Sequence, residues 1–135
     1  MPAQVVVPRS MVERKPPHGS PCNRCGACCY ATLCPLGQRV FIREIGPCPA
    51  LSIMTDGTSS CGLVENPERF YPLAVLRAGS AEEAGRCAAL LVGSGTGCDA
   101  RINGEPGDEE FYRQLRLWDR KNEGAVRRAR KVWGV

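Results

Sequence analysis

Positions 22 to 29 read CNRCGACC, four cysteines in eight residues of a 135-residue chain that has nine in all. A backbone that crowds thiols this densely must serve a disulfide framework, a redox dithiol or a metal. Each of these makes different demands on the rest of the chain.

Disulfides fit poorly. An odd count leaves one cysteine over, and a bridge between the vicinal Cys28 and Cys29 would close a strained ring. The N-terminal stretch MPAQVVVPRSMVERKPPHG lacks the apolar core of a signal peptide, and no run of 18 apolar residues occurs anywhere. The expected location is therefore cytoplasmic, with no membrane partner, and cytosolic thiols are kept reduced. A redox dithiol at Cys22 and Cys25 would ordinarily open a helix that lowers the pKa of its nucleophile, and NRCGACC is a poor helix start. No Walker loop, HExxH motif or Ser/His/Asp set is present, so no catalytic residue is assigned.

A metal remains. In chain order the ligand candidates are Cys22, Cys25, Cys28, Cys29, Cys34, Cys48 and Cys61, with Cys87 and Cys98 as possible additions. Two residues between cysteines let successive thiolates turn toward one centre, and Gly26 removes a side chain from inside that turn. Zinc sites usually take their ligands as two separated pairs. The triplet Cys22, Cys25 and Cys28 is instead similar to the bacterial ferredoxin run C-x2-C-x2-C-x3-C-P, and Cys-Pro recurs at Cys34-Pro35 and Cys48-Pro49. The match is partial: five residues separate Cys28 from Cys34, and Cys29 has no place in that run. The side chains of Cys28 and Cys29 diverge, so both are used only by two metals or a multinuclear cluster; otherwise one packs as a small hydrophobe. An iron-sulfur cluster is preferred narrowly over zinc.

CNRCGACC also resembles the CxxCxxCC signature of the YkgJ-like cysteine-cluster proteins, described as zinc- or iron-chelating domains. The resemblance continues through GPCPALS, similar to the family's Cys-Pro-x-Leu element, and CGLVENPERF, similar to its Cys-x-Ile-Tyr-Glu-x-Arg-Pro element. It spans residues 21–72 and implies metal chelation. Two positions depart from the pattern: Asn66 stands where an Arg usually precedes the proline, and Phe70 stands where a further Cys is expected. Either the site is smaller than usual, or Cys87 or Cys98 replaces the missing ligand.

Three stretches organise the chain. Residues 1–20 form an arm in which QVVV is a candidate edge strand, KPPHG an extended connector and His18 a solvated loop residue. Residues 21–72 hold seven of the nine cysteines and six prolines with no sustained apolar periodicity, as a loop organised by an ion would. Residues 73–135 are helical. One helix is capped by Ser80 with Glu83 in the Ser-x-x-Glu relation and stops at Gly93. A second is capped by Asp108 and carries the apolar stripe Phe111, Leu115, Trp118, Ala125, Ala129 and Val132, with an interruption at Gly124. The expected fold is one compact domain: a small, irregular, metal-organised cysteine-rich lobe against two α-helices, with little β-sheet.

The net charge of +4 is uneven, because residues 113–131 carry eight basic side chains against Asp119 and Glu123, a balance of +6. A solvated face is the preferred reading of this basic helix. The alternative is a zinc-stabilised module in which Arg127, Arg128, Arg130 and Lys131, with Trp118 and Trp133, bind nucleic acid or an acidic protein. The leading functional expectation is an accessory or electron-transfer protein, not a complete enzyme, working with an unidentified protein partner.

Overall fold

The computed structural model describes residues 7–16, 18–20, 25–26, 29–30, 33–92 and 107–135. Among these the chain is mostly helical, with one two-stranded sheet. The helices are α1 (Arg9–Arg14), α2 (Pro35–Phe41), α3 (Gly62–Glu65), α4 (Pro67–Phe70), α5 (Pro72–Ala78), α6 (Ala81–Leu91), α7 (Glu109–Lys121) and α8 (Glu123–Trp133). The strands β1 (Leu51–Ile53) and β2 (Ser59–Cys61) pair antiparallel.

Little sheet is what the sequence predicts, but helix reaches further into the chain than expected. Helices α2, α4 and α5 each begin on a proline, which presets the helical backbone angle and lacks an N–H that would have no partner there. These helices are four to seven residues long, too short for an apolar period to register. In the arm, α1 ends where Lys15 turns extended, as a residue before proline must. The QVVV strand and the stop at Gly93 fall at least in part outside the described residues.

Both predicted long helices are present with their caps. The Ser80 hydroxyl accepts from Glu83 N at 3.1 Å, and the Asp108 carboxylate accepts from Glu110 N at 3.0 Å and Phe111 N at 3.2 Å. The interruption in the second helix lies at Asn122, not Gly124. Asn122 leaves helical geometry, and both its backbone N–H and its side-chain amide donate to the Trp118 carbonyl, closing α7 before α8 begins. Gly124 sits inside α8, facing open space.

One core joins the cysteine-bearing segment to the helices. Leu33, Leu36, Cys48, Ala50 and Leu63 pack with Ala74, Ala84, Cys87, Ala88, Ala129, Val132 and Trp133. Alanines on α6 and α8 let the two helices approach, and Trp133 fills the remaining space. Its ring is fully buried, stacks on Tyr71 with centroids 5.6 Å apart, and donates its indole N–H to the Ala84 carbonyl at 3.0 Å. Trp133 is therefore a core residue and cannot stack on bases.

His18 also departs from expectation. It is 5% exposed, its Nδ1 accepts from Asp108 N at 3.0 Å, and its ring meets the edge of Phe111 at 5.0 Å. The arm is thereby pinned to the start of α7. No helix among the described residues is long and apolar enough to cross a membrane.

Candidate metal centre

The hairpin is the element that brings distant cysteines together. Its register sets Leu51 opposite Cys61, so the turn that follows Cys48 lies alongside the end of β2, and Gly62 N donates to Ala50 O at 2.7 Å. At the tip, Asp56 accepts from both the backbone N–H and the hydroxyl of Thr58, and Arg14 of α1 donates to Gly57 O at 2.9 Å. The earlier motif joins the same region through the backbone, where Cys48 N donates to Cys29 O at 2.9 Å. Gly46 permits this contact: a Cβ there would collide with the Tyr30 carbonyl and lie 3.0 Å from Cys29 O. Only glycine fits.

Cys34, Cys48 and Cys61 carry free thiols and share one core cluster, with Cys48 buried in it and Cys34 and Cys61 packed against it. Burial pushes the Cys48 thiol above the ordinary value of 9.0; the Ala50 and Leu51 backbone and the Arg43 charge oppose the rise, and Cys34 adds to it. Burial likewise raises the Cys61 thiol, opposed by the backbone of Val64 and Leu63 and reinforced by Cys34 and Cys48. Cys34 caps α2, and its Sγ accepts from Gly37 N at 3.4 Å. Each of the three sulfurs thus meets peptide N–H groups two or three residues further along the chain. Such N–H groups favour a thiolate, while desolvation disfavours it, and a bound cation removes the second penalty.

The remaining candidates divide. Cys29 packs against the main core, whereas Cys25 is buried in a separate small cluster with Met11, Val7 and Tyr30. Gly26, beside Cys25, has a backbone φ of 83°, the left-handed conformation the tight turn requires. Cys22, Cys28 and Cys98 lie outside the described residues. Among the described residues, no three His, Cys, Asp or Glu side chains are gathered closely enough to hold a metal ion as they stand.

Cys87 keeps different company. It is buried in the core, 3.5 Å from Arg128 Nη1 and 3.9 Å from Glu83 Oε1, and its charged neighbours are Arg128, Glu83 and Arg86. Phe70 packs its ring edge-on to Phe41 at 5.9 Å and against Gly62, next to Cys61. An aromatic side chain fills that space.

Of the basic candidates, Arg128 pairs with Glu83 across α6 and α8, and Arg127 pairs with Glu123 at 2.9 Å within α8. Arg130 and Lys131 are exposed. The sequence reading missed the peptide N–H groups around the sulfurs and the closeness of Arg43 to Cys48. The signal for the former was available: the Cys-Pro-x-Leu stretch at residue 48 and the Cys-Gly-Leu-Val stretch at residue 61 both place small or fixed residues right after the thiol, which bends the chain back over sulfur. Searches against protein-family models, curated proteins and solved structures find no match to this chain.

Proposed function

We propose that this protein binds metal through a cysteine cluster, holding an iron-sulfur cluster or zinc, and serves as an accessory or electron-transfer component. The observation that carries the reading is that Cys48 lies in one core cluster with Cys29, Cys34 and Cys61 packed against it, and that the Cys34 sulfur accepts from Gly37 N of its own following turn. The donor chemistry fits: soft sulfur ligands suit zinc and iron-sulfur clusters, and N–H groups around the sulfurs are among the features that set a cluster's potential. Cys29, tied through its carbonyl to Cys48 N, is the candidate fourth ligand beside these three. Cys22, Cys25 and Cys28 supply further thiols from the CxxCxxCC stretch, whose resemblance to the YkgJ-like proteins points the same way. An iron-sulfur cluster would supply one-electron chemistry, whereas zinc would supply a redox-inert cross-link.

The cluster is preferred on the cysteine triplet and the Cys-Pro elements. Metal analysis and an absorption spectrum on anaerobically purified protein test the proposal. Stoichiometric iron and sulfide with a colour that bleaches in air would support the cluster, and a colourless protein with bound zinc would support the second form. Anaerobically purified protein without stoichiometric metal would refute the reading.

A further inference from the structure

Beyond the cysteine site, the second unusual feature is the surface of the last two helices. Helix α7 turns Phe111 inward, with Leu115 and Trp118 half-buried, and sets Arg113, Arg116 and Arg120 on the opposite side at i, i+3 and i+7. These three guanidiniums lie in one row about 10 Å long. Helix α8 buries Ala129, Val132 and Trp133 and exposes Arg127, Arg130 and Lys131.

A solvated helix face usually mixes charges so that they compensate. Here three of the nearby carboxylates are committed, Glu110 to Arg113 and Gln114, Glu123 to Arg127, and Glu83 to Arg86 and Arg128, while Glu109 and Asp119 are exposed on α7. Among the described residues, no carboxylate lies within ion-pair distance of Arg116, Arg120, Lys121, Arg130 or Lys131. The acidic side chains gather elsewhere, with Glu65, Glu68 and Glu82 around a groove between α3, α4 and α6.

We infer that the exposed face of α7 and α8 docks the phosphate backbone of a nucleic acid. This goes beyond the metal-binding reading and does not depend on which metal the cysteines hold. Charge selects a polyanion, and the orientation of the apolar stripes selects among polyanions. A helix that inserts into an anionic bilayer turns its apolar side outward into the lipid, and here Phe111, Ala129, Val132 and Trp133 are turned inward. An acidic protein partner would need buried anchor residues for affinity, and this face offers a row of cations with only Leu117 and Tyr112 exposed on its flanks. A phosphate chain needs no such anchor, because released counterions supply the free energy. With Trp133 buried and Arg128 engaged by Glu83, the contact runs through phosphate to the exposed cations of α7 and α8.

Anisotropy of fluorescently labelled 20-nucleotide single- and double-stranded oligonucleotides of random sequence, titrated with the full chain, tests this. Five phosphate contacts predict that affinity for duplex falls about 500-fold between 50 and 200 mM salt. Changing Arg116, Arg120 and Arg130 together to Gln should lower the slope of log affinity against log salt by about 2.7. The same three positions changed to Lys should keep that slope, with far-UV circular dichroism unchanged in both variants. The inference is overturned if the oligonucleotides do not bind at 50 mM salt, if the Gln variant keeps the native slope, or if the Lys variant loses it. It is equally overturned if phosphatidylserine vesicles bind the chain and oligonucleotides do not.

Discussion

The peptide N–H of Cys48 donates to the carbonyl of Cys29 at 2.9 Å, tying the vicinal cysteine pair to the Cys-Pro element nineteen residues later. That bond depends on a position with no side chain. At Gly46 an added methyl group would strike the Tyr30 carbonyl and crowd Cys29 O, and these are backbone atoms that no side-chain rotation can move aside. Gly46→Ala should therefore separate the two strands of chain and destabilise the protein by about 1–3 kcal/mol, the usual cost of overpacking. Metal content should fall with it. Urea denaturation together with metal analysis measures both, and an unchanged midpoint with full metal would contradict the account.

Metal removal should act unevenly along the chain. On the proposed metal binding, thiolate ligands supply folding energy where the elements are short: Cys34 caps a seven-residue helix, Cys61 ends a three-residue strand, and Cys48 precedes the three-residue strand paired with it. Helices α6 and α8 instead bury Ala84, Ala88, Ala129, Val132 and Trp133 against each other and their neighbours. After verified chelation, amide exchange should accelerate across residues 33–61 while α6 and α8 keep most of their protection. Exchange that is unchanged in residues 33–61 would mean packing alone holds that segment.

What could be read from the sequence followed the strength of local signals. Ser80 and Asp108 announce helices because a short polar side chain before a helical run has one dominant use, and both are caps. The break at Asn122 was misassigned to Gly124 because glycine weakens a helix on average, whereas Asn122 ends α7 through a specific side-chain bond to Trp118 O. Trp133 looked like a surface aromatic beside four basic residues. Its burial depends on Tyr71, just before α5, and Ala84 of α6 arriving from about fifty to sixty residues away, which no local pattern records. For the cysteines, spacing singled out the group, but the separation of Cys25 from the neighbourhood of Cys34, Cys48 and Cys61 is a property of tertiary packing.

His18 should act as the latch of the N-terminal arm. Its Nδ1 accepts from Asp108 N, so in this arrangement the ring proton sits on Nε2, and its face and edge pack on Phe111 and Tyr112. His18→Ala removes the acceptor of the Asp108 N–H and leaves a void beside Phe111, with a loss of about 0.5–1.5 kcal/mol for the hydrogen bond. Limited proteolysis should then cut within residues 14–20 faster than in the native chain. Equal cutting rates would show that the arm is held by other contacts.

Cys87 separates packing from ligation. It is 2% exposed, and burial pushes its thiol above the ordinary value of 9.0 even though Arg128 pulls the other way. The folded state therefore holds the protonated thiol more tightly than the unfolded chain does. That contribution is complete below pH 9 and is lost as pH rises from there toward the folded value. In that window Cys87 should steepen the fall of stability by at most about 1.4 kcal/mol per pH unit. Cys87→Ala should remove this part of the alkaline decline and leave the metal content of the purified protein unchanged. Denaturation midpoints of both proteins between pH 7 and 11, with metal analysis at pH 7.5, provide the comparison. Loss of stoichiometric metal in the variant would make Cys87 a ligand.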